Sequence, residues 1–297
     1  MKREDRHCSR NENGHEAKLQ VMICAYGKEG IRRVASGKHP AMPSVEYLVS
    51  WQTDDNTSLP VQLERKDFKI ITSDTKGLAV NRNIALSHAT APFLLISDDD
   101  TDYTEDNLNA VLKGFRDYPD ADILAFRFES KSVNKIYPDY VCPLDTPPKG
   151  YFISSIEIAF RKNSVKGKVW FNEYFGVGAL FRSGEEDIFI KDCLDLGMKG
   201  FFLPETIVRH DASTTSTRDM HSPLRPMTKG AVFLRLHPRD WTLRMIAHAL
   251  REIPLWIKGE VPSPVSFCRN WIKGVLTARE KHVFPTASQT LNYRNHE

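Results

Sequence analysis

The sequence has no long hydrophobic run, although 41% of its 297 residues are hydrophobic. No stretch approaches the roughly 18 apolar residues that a membrane-spanning helix needs, and no internal repeat is present. Residues 1–18 are dense in charge and lack an apolar core. We therefore expect this segment to be a disordered tail rather than a signal peptide.

Cysteine pairs are also missing. The five cysteines are scattered and none is spaced CxxC, which argues against a disulfide framework and favours a reducing, cytoplasmic location. The net charge is only +3, but residues 225–297 carry 12 Lys and Arg against 5 Asp and Glu. The end of the chain is therefore basic and the rest is slightly acidic. Nothing in this balance predicts a nucleic-acid partner.

Apolar runs alternate with helical patterns over the first half of the chain. The predicted strands are residues 19–27, 45–52, 68–72, 92–98 and 122–128, and the predicted helices are residues 78–86, 108–118 and 188–196. Strands that alternate with helices indicate an α/β fold with a largely parallel sheet in three layers.

Three adjacent carboxylates follow the most apolar of these strands. If the strand continues through them, Asp98 and Asp100 project to one side and Asp99 to the other. Carboxylates this close repel one another unless a cation lies among them. Hard oxygen ligands suit Mg²⁺ or Mn²⁺, with phosphate completing the shell. The pattern predicts a metal–diphosphate site, although acids after a strand also begin helices.

Two further clusters are ambiguous on chemistry alone. Gly77, Arg82 and Asn83 lie at the start of a predicted helix, where phosphate binds readily, but such an arginine is often a surface residue. Glu185, Glu186 and Asp187 follow Gly184, where acids either catalyse or simply complement a helix dipole. His210 follows a short strand and is a metal ligand only if it lies beside the metal.

The last quarter of the chain changes character. Residues 211–224 are rich in Ser and Thr, and Ser213–Thr217 are predicted to form a mobile lid. Beyond Pro226 the sequence is basic and helical, with Trp241, Met245, Ala249 and Leu250 on one predicted face. These helices either contact a membrane surface or pack on the body of the protein.

Taken in order, the motifs resemble family 2 glycosyltransferases of the GT-A fold. The resemblance runs from Val21 to His210. It depends on the strand ending in Ala25-Tyr26, the Gly77…Arg82-Asn83 helix, Asp98-Asp99-Asp100, and Gly184-Glu185-Glu186-Asp187 followed by His210. It implies a Rossmann-like three-layer sandwich with a mixed, mainly parallel sheet over residues 19–220. Residues 221–297 then form a basic helical region.

The same resemblance implies an inverting transfer of sugar from a nucleotide-sugar, with UDP favoured, to a glycan or lipid-linked acceptor in polysaccharide or glycan assembly. It places Asp98 near the ribose and Asp100 on Mn²⁺ or Mg²⁺, with His210 as a further metal or phosphate contact. Asp187 is the implied general base, with Glu186 as the alternative. The other implied donor contacts are Ala25, Tyr26, Gln52, Gly77, Arg82, Asn83 and Asp99, and the implied acceptor-side residues are Gly176 and Gly178.

One departure concerns the nucleobase. The second strand ends in Ser50-Trp51-Gln52, where many relatives carry acids, so Asp54 or Asp55 is the expected substitute. Two other functions stay open at this stage. One is a nucleotidyltransferase, which would need a glycine-rich phosphate loop that the first strand lacks. The other is a nucleotide-sugar-binding module without activity.

Overall fold

An eight-stranded sheet forms the centre of the protein. The computed structural model describes residues 18–53, 57–131, 135–211, 222, 224–259 and 263–284. The strands are β1 (Leu19–Tyr26), β2 (Val45–Gln52), β3 (Phe68–Ser73), β4 (Phe93–Asp98), β5 (Ile123–Glu129), β6 (Cys142–Pro143), β7 (Ile158–Arg161) and β8 (Gly200–Arg209). The predicted tail before residue 18, the substitutes Asp54 and Asp55, and the lid at 213–217 lie outside the described residues.

The sheet is mixed but mainly parallel. Its strand order is β3-β2-β1-β4-β7-β5-β8-β6. β1 pairs in parallel with β2 and β4, β2 with β3, and β5 with β8, whereas β7 is antiparallel to both β4 and β5. Because β7 reverses direction between them, β4 and β5 run the same way. The carboxyl ends of β1, β2, β4, β5 and β8 therefore share one edge of the sheet.

Helices cover both faces of the sheet. The described α-helices are α1 (Gly27–Ser36), α2 (Leu78–His88), α3 (Glu105–Asp117), α4 (Lys162–Val165), α5 (Glu185–Asp195), α6 (Leu224–Leu236), α7 (Trp241–Lys258) and α8 (Pro264–Glu280). Short 3₁₀ turns span Val61–Leu63 and Ser155–Glu157. On β1, Val21 and Ile23 pack with α1 and α3, whereas Met22 packs with α2 and α5. This alternation makes the three layers, as predicted.

The C-terminal helices pack on the body through α6. Its residues share a core with Phe175, Phe181 and Ile188, and the Arg235 guanidinium lies 2.6 Å from both carboxylate oxygens of Asp192 on α5. The backbones of α6 and α8 approach so closely that a Cβ on Gly274 would lie 1.9 Å from the Met227 carbonyl oxygen. The division predicted after residue 220 thus falls just before a helix that shares a core with the sheet domain.

The packing of α7 differs from the sequence prediction. Trp241, Met245 and Ala249 are partly buried against this core, but Leu250 is 62% exposed. None of the described helices is long and apolar enough to cross a membrane.

Candidate functional site

The three consecutive aspartates each meet a different cation. Strand β4 ends at Asp98 and the next two residues lie in a turn. The expected strand alternation, with Asp98 and Asp100 on one side, is therefore wrong beyond residue 98. Asp98 lies 3.2 Å from Arg82, and Asp100 lies 3.0 Å from His210. Asp99 accepts two hydrogen bonds from Arg33, at 2.9 and 2.8 Å.

These contacts set the charge of each aspartate. Burial raises the pKa of Asp98 and of Asp99, and the guanidinium groups of Arg82 and Arg33 oppose that rise only in part. Burial also acts to raise the pKa of Asp100, but the hydrogen bond from His210 and the charges around it outweigh this, so its pKa is lowered. The same hydrogen bond raises the pKa of His210. Asp100 is therefore the most readily ionised of the three.

Asp100 and His210 come from separate strands that end at the same edge. Asp100 follows β4, and His210 follows β8, where its backbone N–H donates to the Glu129 carbonyl at 2.9 Å. Their side chains are partly accessible, at 30% for Asp100 and 12% for His210. No group of three or more His, Cys, Asp or Glu within the described ranges is arranged to hold a metal ion by itself. The pair suits Mg²⁺ or Mn²⁺ only if diphosphate and water supply the remaining ligands.

Arg82 is buried rather than solvated. Its side chain is 1% exposed, and its guanidinium contacts Glu185 at 2.8 Å and Asp98 at 3.2 Å. The ring of Phe171 lies beneath it, 5.5 Å from the guanidinium carbon. In this conformation two carboxylates hold the guanidinium, so a phosphate contact by Arg82 stays a prediction. The observed role is a bridge between the end of β4 and the start of α5.

The start of α5 carries three acids in distinct environments. Gly184 begins the turn with φ of +96°, and a Cβ there would lie 2.7 Å from Val232 on α6. Glu185 is buried and forms an ion pair with Arg82. One carboxylate oxygen of Glu186, Oε2, is buried and has no hydrogen-bond partner among the described residues. Asp187 reaches solvent.

The pKa of Glu186 and that of Asp187 are both raised. For Glu186 burial is the main cause, and the negative charges of Glu185 and Asp187 add to it. For Asp187 desolvation raises the pKa, the positive charge of Lys229 on α6 opposes the rise, and the negative charge of Glu185 adds to it. A carboxyl group with a raised pKa takes a proton more readily, which is the property that a general base requires.

The glycine turn at 176–178 packs between the two helices that bear these residues. Gly176 and Gly178 both have positive φ. The Leu78 N–H at the start of α2 donates to the Val177 carbonyl at 2.9 Å, and a Cβ on Gly178 would lie 3.2 Å from the Gly77 Cα. A Cβ on Gly176 would lie 3.1 Å from Glu185. The turn therefore joins the predicted donor helix to the predicted catalytic helix.

Three predicted donor contacts are buried in the structure. Ala25 is fully buried and Gln52 is 2% exposed, with its amide donating to Thr75 and to the Gly77 carbonyl. Asn83 is also fully buried, and it exchanges hydrogen bonds with the backbone of Phe171. In this conformation the amides of Gln52 and Asn83 hold loops together, and almost none of the surface of the three residues is accessible to a ligand.

Tyr26 differs from its neighbours in being 57% exposed at the end of β1. Gly77 directly precedes α2 and has a φ of +106°, which an L-residue rarely adopts. Gly77 therefore keeps the tight entry into α2 that the sequence predicted. Both residues stay candidates for donor contacts.

Some residues of the site were not predicted from the sequence. Arg33 binds Asp99, and a Cβ on Gly30, one turn earlier on α1, would lie 2.8 Å from that carboxylate. Gly30 and Arg33 at a spacing of three were the only local signal of this contact. Lys229 acts on Asp187 from a helix more than 40 residues away in sequence, and no motif marks it.

Comparison with known families decides between the functions left open. Residues 53–189 match the model of glycosyl transferase family 2. The chain carries a glycosyltransferase family 2 domain. The family predicted from the motifs is confirmed, and it favours a glycosyltransferase over a nucleotidyltransferase or a binding module. A search of curated proteins finds no match.

Solved structures support the predicted fold of this glycosyltransferase. TarS 1-349 from S. aureus in complex with UDP-GlcNAc aligns with a TM-score of 0.55 at 16% identity, covering 89% of this chain and 91% of that one. TarS 1-349 alone aligns with a TM-score of 0.53 at 18% identity, covering 87% and 81%. At such identities the likeness concerns the fold, and the predicted GT-A fold is confirmed.

Proposed function

We propose that this glycosyltransferase moves a sugar from a nucleotide-sugar to a hydroxyl of a glycan or lipid-linked acceptor, with inversion, in polysaccharide or glycan assembly. One observation carries the proposal. The buried Arg82 contacts both Asp98, at the donor edge of the sheet, and Glu185, at the start of the acid-bearing helix. It thereby fixes the donor edge relative to the acids of α5. The scattered free cysteines support a cytoplasmic location.

The donor is proposed to lie along the shared edge of β1, β2 and β4. Asp98 is partly accessible there, with 34% of its side chain exposed, and Tyr26 is more than half exposed. Asp98 would accept a hydrogen bond from the ribose, and Tyr26 would cover the base. UDP is the favoured nucleotide, since TarS, which shares the fold, was solved with UDP-GlcNAc and with UDP.

A divalent metal is proposed to be held by Asp100 and His210. The oxygen and nitrogen ligands suit Mn²⁺, and a pair of protein ligands leaves room for diphosphate oxygens. When bound, such an ion supplies positive charge beside the leaving diphosphate. Asp99 is not proposed as a ligand, because Arg33 occupies both of its oxygens.

Glu186 is proposed as the general base, in preference to Asp187. Glu186 has a buried carboxylate oxygen without a partner in the described part of the chain, and Arg82 influences its pKa directly. Asp187 is exposed instead, and desolvation raises its pKa while the positive charges of Lys229 and Lys135 oppose the rise. The Asp187 charge then raises the proton affinity of Glu186.

The arrangement suits an in-line displacement. The acceptor hydroxyl would give its proton to Glu186 while its oxygen attacks the anomeric carbon from the side opposite the diphosphate. The bond from that carbon to the diphosphate breaks, and the configuration inverts. Gly176 and Gly178 are proposed to line the acceptor side, where the turn lies close to α5 and α2 because a Cβ would come within 3.1 Å of Glu185 or 3.2 Å of Gly77.

The test is a panel of nucleotide-sugars with Mn²⁺, read first by thermal stabilisation and then by donor hydrolysis. We expect a UDP-sugar to raise the melting temperature and to be hydrolysed slowly. The Glu186→Gln variant should keep the thermal shift and lose turnover by about 10²-fold or more, whereas Asp187→Asn should lose less. If Asp187→Asn loses more turnover, the base is Asp187. If no nucleotide-sugar stabilises the protein, the donor assignment is wrong.

A further inference from the structure

Helix α7 exposes a continuous row of aliphatic side chains. Five residues recur at spacings of three and four, which places them on one side of a helix. The row, called the α7 stripe below, consists of Leu243 (68% exposed), Ile246 (53%), Leu250 (62%), Ile253 (41%) and Ile257 (81%). The helix of 18 residues is about 27 Å long, so the stripe runs along most of it.

Two polar side chains of α7, those of Glu252 and His248, point inward instead. Glu252 is 3% exposed and pairs with Arg225 on α6 through two contacts of 3.1 Å. His248 lies 3.5 Å from the same carboxylate, and the Trp241 ring stacks on Trp271 at 5.5 Å. A helix that faces water normally has the opposite arrangement. The outward stripe is therefore a surface suited to an apolar partner.

A basic edge lies beside the stripe. Arg244, Arg251 and Lys258 are exposed and separated by seven residues, so they form a second row, roughly 100° around the helix from the centre of the stripe. Arg244 pairs with Asp240 just before the helix. No described carboxylate lies within ion-pair distance of Arg251 or Lys258. The single acid of α7, Glu252, is turned inward. The exposed half of α7 thus combines aliphatic surface with the positive charges of Arg251 and Lys258, which no carboxylate of the described residues pairs.

We propose that the α7 stripe binds the surface of an anionic membrane, with α7 lying in the plane of the interface. The aliphatic side chains enter the acyl boundary while Arg251 and Lys258 meet lipid phosphates. The described helices cannot cross a bilayer, so α7 lies on the membrane. A second copy of the chain is a poorer partner, because pairing two stripes would bring two basic edges together without outward acids to balance them.

The proposal predicts binding that needs both surfaces. The full chain should sediment with vesicles of phosphatidylcholine mixed with phosphatidylglycerol, less with pure phosphatidylcholine, and less at high salt. The variant Leu250→Ser/Ile257→Ser should weaken binding on the order of tenfold or more. Arg251→Gln/Lys258→Gln should weaken binding to the anionic vesicles only. Both pairs are exposed, so near-UV circular dichroism should be unchanged.

The matched control is Val61→Ser/Leu196→Ser, which removes aliphatic side chains of similar exposure, 69% and 62%, from the sheet domain. It should bind vesicles as the unmodified chain does. Absence of sedimentation at low salt would overturn the proposal, as would equal losses in the control and the stripe variant. A dimer in light scattering that Leu250→Ser/Ile257→Ser dissociates would instead assign the stripe to a second copy.

Discussion

Replacing Arg82 should destabilise the folded protein more than a substitution at its surface. Arg82→Met leaves Glu185 buried, with 7% of its side chain exposed and its cation gone, and leaves Asp98 34% exposed. Breaking a buried ion pair in this way costs about 3–5 kcal/mol. In a chain of this size a change of 1 kcal/mol moves the melting temperature by about 2–4 °C. We therefore expect a fall in melting temperature of about 6–20 °C.

The second variant tests the cause. Arg82→Met/Glu185→Leu removes both charges, so the buried carboxylate is no longer stranded, and it should recover most of the stability that Arg82→Met loses. Asp98 is accessible enough to be hydrated. Urea unfolding followed by circular dichroism gives the free energies for the cycle of single and double variants. Additive losses in the double variant would mean that Arg82 and Glu185 do not act as a pair, and the bridge would have no energetic basis.

Three further outcomes follow from the geometry of the site. The folded protein holds a proton on Glu186 at a higher pH than the unfolded chain, so this group costs stability as pH rises above the ordinary carboxyl range. Glu186→Gln should therefore raise the melting temperature at pH 8 but not at pH 4. An equal shift at both pH values would contradict the raised pKa. Gly176 has a φ of +102°, and a Cβ there would lie 3.1 Å from Glu185, whereas Gly197 has a φ of +81° and nothing within 4 Å of its Cβ position. Gly176→Ala should therefore destabilise the protein by about 1–2 kcal/mol more than Gly197→Ala. Equal losses in urea titrations would show no crowding by Glu185. Asp100→Asn should abolish the thermal stabilisation of the protein by Mn²⁺ with UDP, as EDTA should in the unmodified chain. Asp99→Asn, at a side chain held by Arg33, should keep that stabilisation. Loss of stabilisation in both variants would remove the distinction between the two aspartates.

The layers of the fold could be predicted because they depend on local periodicity. The buried strand β4 begins with a continuous apolar run, Phe93 to Ile96, and α3 carries its apolar residues on one face. The antiparallel β7 could not be placed, since its four residues pair with β4 and β5 only through long-range contacts. Strand β8 also continues from Gly200 to Arg209 through Pro204, a residue that usually marks the end of a strand in sequence.

The residues of the site could be predicted from the sequence, but the contacts between them could not be predicted as well. Asp98, Asp100, His210 and Glu186 were named because carboxylates and imidazole after strands, or at a helix start, are chemically distinctive. Which cation each acid meets depends on packing between distant elements. Arg82 and Glu185 are 103 residues apart and meet only because α2 and α5 lie on the same face of the sheet.

The burial of Arg82 also explains why the acids of α5 need not share one role. Arg82 forms ion pairs with two carboxylates, and the shorter of the two goes to Glu185. Glu186, next in the chain, is left buried beside like charges, and these raise its pKa together with desolvation. Glu185 holds the bridge, and the roles proposed for its two neighbours differ: Glu186 accepts the proton, and Asp187 tunes Glu186 through its charge. We place the base at Glu186 because one of its carboxylate oxygens is buried without a hydrogen-bond partner among the described residues, directly beside the residue that holds Arg82.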